Sequence, residues 1–100
     1  MLTRVVKLTF QEEHLADFYA HFETVKLNVA QFPGCLGMKL MSDLNDPNII
    51  FTYSEWENEA ALDNYRCSEL FLSIWPQIKP WFAQRAEAWS LKENFNGFIR

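Results

Sequence analysis

The stretch Ile49-Ile50-Phe51-Thr52-Tyr53-Ser54-Glu55-Trp56-Glu57-Asn58-Glu59-Ala60-Ala61-Leu62 changes character part-way along. Residues 49–57 are mostly β-branched or aromatic, the composition of a strand. Asn58 then suits the N-cap of a helix over 59–67, because its side-chain oxygen can accept a hydrogen bond from an N–H that the first turn leaves open. Along the strand, alternation sends Ile49, Phe51 and Tyr53 to one face and Ile50 and Trp56 to the other. Both faces therefore carry bulky groups. A sheet that is apolar on both sides needs two covers; helices supply one, and a second copy about a twofold axis is the simplest second.

Reading toward the N-terminus, 43–48 is dense in turn formers and 35–42 has strand character, so the two strands form a hairpin. Phe32-Pro33-Gly34 stops whatever precedes it: Pro disfavours helical geometry in the residue before it, and Gly accepts positive φ. What precedes it is a helix. Leu15, Phe18, Phe22, Val25, Val29 and Phe32 recur at alternating steps of three and four, with Glu13, Asp17, Glu23 and Lys26 elsewhere on the wheel. Gln11-Glu12-Glu13 suits the acidic first turn of that helix, and 2–10 reads as the first strand. Toward the C-terminus, Ser68 caps a helix over 69–75, with Pro76 and Pro80 breaking or restarting helix beyond it. Residues 83–92 make a last strand, and 93–100 a tail containing Gly97. The order is β-α-β-β-α-β: one α+β domain spanning 1–100, with both helical segments on one face of a four-stranded antiparallel sheet in the ferredoxin-like arrangement.

Composition narrows the function. Of the 100 residues 16% are aromatic, including Trp56, Trp75, Trp81 and Trp89, so a large-residue core, an aromatic pocket or an apolar interface must absorb them. A net charge of −4 with no Lys/Arg cluster argues against nucleic acid and against an anionic membrane surface. No apolar run approaches the length of a membrane span, and Met1-Leu2-Thr3-Arg4 leads directly into strand pattern, so a soluble cytoplasmic protein is expected. Cys35 and Cys67 lack metal-ligand or CxxC spacing and are expected as free, buried thiols. His14 and His21 lie seven residues apart on one helix, about 10 Å along its axis, too far to share an ion, so no metal site is expected.

The run 51–62, with Phe32-Pro33-Gly34 before it and Tyr65, Ser68 and Phe71 after it, resembles the antibiotic biosynthesis monooxygenase domain over about 2–91. That resemblance implies a dimeric α+β barrel in which two sheets face each other and each subunit keeps a pocket between its helices and its sheet. The family also includes quinol oxygenases and heme-degrading enzymes. Members that oxidise polyphenols need no metal or flavin, because a deprotonated, electron-rich phenol can itself pass an electron to dioxygen while the protein stabilises developing charge. The polyketide-oxidising members carry an Asn and a Trp four residues apart on the third strand and a Tyr six residues after the Trp. These places fall on Thr52, Trp56 and Leu62. The Asn, Trp and His of the heme-degrading members fall on Arg4, on Tyr65 and near Trp75, none of which matches.

The resemblance makes Trp56 and Thr52 catalytic candidates, an indole N–H and a hydroxyl for the oxygens, and His14, expected near the pocket mouth, is added on its own chemistry as a general base. Arg4, Tyr65, Phe71 and Trp75 are the candidates for binding substrate. Each has a plainer alternative. Trp56, Phe71 and Trp75 fit a core, Thr52 is a good strand former, His14 fits the surface, and Arg4 is either a strand-end charge reaching water or an inward counter-ion. Glu55, opposite Trp56 in the alternation, belongs to an interface or to solvent. Two functions stand side by side: a cofactor-independent monooxygenase for an aromatic, polyphenol or quinol-type molecule, or a non-catalytic binding module on the same homodimeric fold.

Overall fold

The strand at the centre of the sequence argument is β3 (Ile49–Trp56), an inner strand of a four-stranded sheet in the computed structural model, which describes residues 1–98. The other strands are β1 (Leu2–Thr9), β2 (Cys35–Ser42) and β4 (Glu87–Lys92), in spatial order β2-β3-β1-β4 with every neighbour antiparallel. The helices are α1 (Leu15–Ala30), α2 (Glu59–Arg66) and α3 (Glu69–Ile78). This is the ferredoxin-like α+β fold, its second crossover made of two short helices.

The local devices are those the residue types dictate. Asn58 accepts from Ala61 N at 2.9 Å to open α2, and Ser68 accepts from Phe71 N at 3.1 Å to open α3. Gly34 ends the α1 connection at φ +88°, a left-handed conformation that favours glycine, and its carbonyl accepts from Glu57 N at 2.9 Å. Three boundaries differ from the sequence reading by several residues, beyond one-residue differences at the ends of β1, β3 and α2. A 3-10 turn (Glu12–His14) precedes α1, which starts only at Leu15. Pro76 does not break its helix: α3 runs through it to Ile78. The lost N–H would have gone to Leu72, whose turn is exposed, so water can take over that carbonyl. The last strand is shorter than 83–92, because Phe82 bridges Phe10 and Ala83 N bonds Thr9 O before the chain turns away and re-enters the sheet at Glu87. Residues 93–98 form no helix or strand, and the rest of the expected tail, 99–100, lies outside the described residues.

Cross-strand partners share a face, so the register sorts the sheet. Leu2–Trp56, Arg4–Ser54, Val6–Thr52 and Leu8–Ile50 face the helices, while Val5–Tyr53, Lys7–Phe51 and Thr9–Ile49 face the other way. Under the helices the core is divided. One cluster gathers Leu8, Phe10, Phe18, Ile50 and Ile78; a second, at the other end of β1 and β3, gathers Trp56, Ala61 and Leu62.

Candidate functional site

Between the two core clusters the sheet carries short side chains. Thr52 and Ser54 on β3 and Ala88 on β4 cannot reach the helices as Ile50 and Trp56 do, and the space above them is a cavity of about 400 Å³. That volume lies within the range of small-molecule sites, about 300–1,000 Å³. Its floor is Arg4, Val6, Thr52, Ser54 and Ala88; α1 supplies Phe22, Val25 and Val29 as one wall, and α2 and α3 supply Tyr65, Phe71, Ile74 and Trp75 as the other.

The aromatic wall is continuous. Tyr65 stacks on Trp56 with centroids 5.1 Å apart, meets Phe71 edge-on at 5.3 Å, and Phe71 in turn stacks on Trp75 at 5.8 Å. Trp56 is 1% exposed, and its indole N–H is not free: it donates to Ser54 Oγ at 2.9 Å. Ser54, two residues earlier on the same face of β3, makes a long 3.5 Å contact to the carbonyl of Arg4. The polar end of the cavity is therefore a Trp56–Ser54 pair, with the serine hydroxyl as its junction.

Electrostatics separate two parts of the site. Burial, and then the neighbouring Cys35, push the Tyr65 phenol up to about 12, so at neutral pH it is a neutral donor and not a base. Arg4 borders the cavity, and its Nη1 donates to the Oγ of the exposed Ser90 on β4 at 2.9 Å. Burial, and then the adjacent Arg66, lower its pKa, so two guanidinium groups face the same space.

Trp56, Thr52, Arg4, Tyr65, Phe71 and Trp75 thus come together around one cavity. Arg4 lies between its two alternatives: it borders the cavity, yet its head group bonds the exposed Ser90. His14 does not join them. It lies on the 3-10 turn before α1, where its Nδ1 contacts Asp17 Oδ2 at 2.9 Å and its ring stacks on Trp81 at 6.1 Å, and it is not among the cavity residues. It sits a full turn before Phe18, the first α1 residue to line the cavity. Glu55 is on the opposite face, where it accepts from the Tyr53 hydroxyl at 3.1 Å. The cysteines are free as expected but not buried: Cys35 is half-buried and Cys67 exposed. Two polar cavity residues escaped the sequence reading. Ser54 shares the Trp56 alternation and was legible from it; Arg66, the last residue of α2, carried no signal beyond following Tyr65. Among the described residues no group of three or more His, Cys, Asp or Glu side chains could hold a metal ion, and no helix is long and apolar enough to cross a membrane.

Residues 1–75 of the 100 match the family model for antibiotic biosynthesis monooxygenase. The chain belongs to that family. Solved structures agree on the fold. A crystal structure of an antibiotic biosynthesis monooxygenase is 24% identical with a TM-score of 0.88, covering 93% of this chain and 98% of its own. A conserved protein from Methanosarcina mazei Go1 is 22% identical at TM-score 0.87, with 94% of each chain covered. A Mycobacterium tuberculosis protein is 12% identical at TM-score 0.87, covering 97% of this chain and 98% of its own. At these identities the likeness shows the fold alone. No match was found among curated proteins. For this antibiotic biosynthesis monooxygenase domain, the three places named from the polyketide-oxidising members, Thr52, Trp56 and Leu62, all line the cavity. So do Arg4, Tyr65 and Trp75, the places taken from the heme-degrading members.

Proposed function

We propose that this family member is a cofactor-independent monooxygenase that oxidises an electron-rich phenol or quinol-type aromatic inside the helix-sheet cavity, as a cytoplasmic homodimer joined through the bare sheet face. The observation that carries the reading is the aromatic wall Trp56–Tyr65–Phe71–Trp75 beside the hydrogen-bonded Trp56–Ser54 corner. An aromatic ring is held by such a wall, and its oxygen is oriented by the corner. In the reaction proposed, a hydroquinone and dioxygen give a hydroxyquinone and water: one oxygen atom enters a ring C–H position, the other leaves as water, and the four electrons come from the substrate. Ser54, Thr52 and the neutral Tyr65 phenol are the donors for the phenolate and the reduced oxygen.

The test is oxygen uptake with a panel of hydroquinones, comparing wild type with Trp56→Phe. The substitution keeps most of the ring but removes the N–H that orients Ser54, and uptake should fall about tenfold, less than the roughly hundredfold to thousandfold of a donor that touches the reacting oxygen itself. No turnover with any quinol, or unchanged turnover in Trp56→Phe, sinks the assignment. A second reading, a binding module without chemistry, is favoured by one observation: the Trp56 N–H is already committed to Ser54. Aromatics that raise the melting temperature without oxygen uptake would select it.

A further inference from the structure

The cavity has a second chemical feature that a plain phenol or quinol leaves unused. Arg4 and Arg66 both line it, yet none of the chain's 13 carboxylate side chains does. The ion pairs among the described residues are His14–Asp17 and Lys26–Glu23, both on the outer side of the molecule and neither involving these arginines. Arg4 is half-buried, and its one side-chain hydrogen bond goes to a neutral hydroxyl, Ser90. A guanidinium has five N–H donors, so most of this fork is unspent. Two cations facing one partly desolvated space repel each other unless an anion comes between them. Arg66 ends α2, where a positive charge favours the helix dipole, but that role does not require its side chain to border the cavity.

We propose that Arg4 and Arg66 form an anion-binding pair, so that the molecule taken by this cavity is an aromatic bearing a carboxylate separate from its oxidisable ring oxygens. The proposal rests on the reading of the cavity as the substrate site. The geometry keeps the two ends of the ligand apart: the Arg4 guanidinium turns toward Ser90 on β4, whereas the Trp56–Ser54 corner belongs to β3, on the other side of β1. A planar carboxylate matches the arginine fork in a way that a single phenolate oxygen does not.

The test uses a hydroxynaphthoate and its uncharged carboxamide, titrated by calorimetry into the intact protein and into Arg4→Gln, Arg66→Gln and Ala88→Phe. Wild type should bind the carboxylate about tenfold to a hundredfold more tightly than the amide, the range for charge-assisted hydrogen bonds to a partly desolvated anion. That preference should shrink in each arginine variant while amide affinity holds, and it should weaken with added salt. Arg66 is exposed on a helix end, so Arg66→Gln carries the test even if Arg4→Gln fails to fold. Equal wild-type affinity for the two probes, or a preference that survives both substitutions, overturns the pair. Ala88→Phe, which puts a ring into the cavity, separates the two ideas. If it abolishes binding of both probes while wild type shows no preference, the cavity stands and the anion pair falls. If it changes neither affinity, or if neither probe binds wild type, the cavity reading falls and the pair with it.

Discussion

At the scale of single residues, Tyr65 joins packing to chemistry. It touches Trp56, Phe32 and Phe71, and the same enclosure that makes it a good stacking surface holds its phenol neutral up to about pH 12. An unfolded phenol ionises near pH 10. Below that pH both states are neutral and the full benefit of burial is present. Between about 10 and 12 the unfolded chain gives up its proton and the folded one does not, so stability falls by roughly 2–3 kcal/mol across that window. A phenolate absorbance titration should show one tyrosine ionising only near pH 12, and Tyr65→Phe should remove that step together with its share of the alkaline loss. An unchanged late step in Tyr65→Phe would assign it elsewhere. What was legible here was the residue type at a spacing that puts an aromatic beside Trp56. What was not legible was the engaged state of the Trp56 N–H, since that depends on where the Ser54 rotamer points and not on which residues are present. His14 shows the same limit from the other side: its chemistry suited a base, but it packs against Trp81 and Asp17, ahead of the part of α1 that lines the cavity.

At the scale of elements, most boundaries could be read because each has a local chemical cause: Asn58 and Ser68 as caps, alternation in β3, the three-four spacing of α1. Pro76 and the start of β4 could not. Their outcomes depend on whether water reaches one carbonyl and on a bridge between Phe10 and Phe82, which are tertiary facts. Gly34 is where local and tertiary demands coincide. Its φ of +88° disfavours any side chain, and a Cβ there would lie 2.5 Å from the Ala61 Cβ on α2. The same residue anchors Glu57 N, so the α1 exit, the β3 end and the start of α2 meet at this point. Gly34→Ala should therefore cost about 2–4 kcal/mol in chemical denaturation, from the left-handed backbone plus overpacking. A loss under 1 kcal/mol would mean that α2 can shift without penalty.

At the scale of the molecule, the two faces of the sheet carry different residues. The face under the helices holds every strand residue of the cavity, and the opposite face presents Val5, Phe51, Tyr53, Met41, Trp89 and Leu91. Among these Met41, Trp89 and Leu91 are 44%, 42% and 47% exposed in the single chain, and they spread over three of the four strands with Phe51. Isolated soluble domains rarely leave a contiguous apolar surface larger than a few hundred Å² uncovered. The charges on this face, Lys7, Lys39, Glu55 and Glu87, include both signs, so a twofold-related copy can match them. Light scattering at micromolar concentration should accordingly give twice the chain mass. Phe51 sits on an inner strand beside Lys7, so Phe51→Arg adds like charge to the middle of the proposed contact and should yield a folded monomer. A monomeric wild type, or a variant that stays dimeric, would remove this face as the interface. Because no cavity residue lies on that face, the monomer should still bind an aromatic probe with wild-type affinity. Loss of binding on monomerisation would instead mean that the partner holds the helices of each subunit in place over its own sheet.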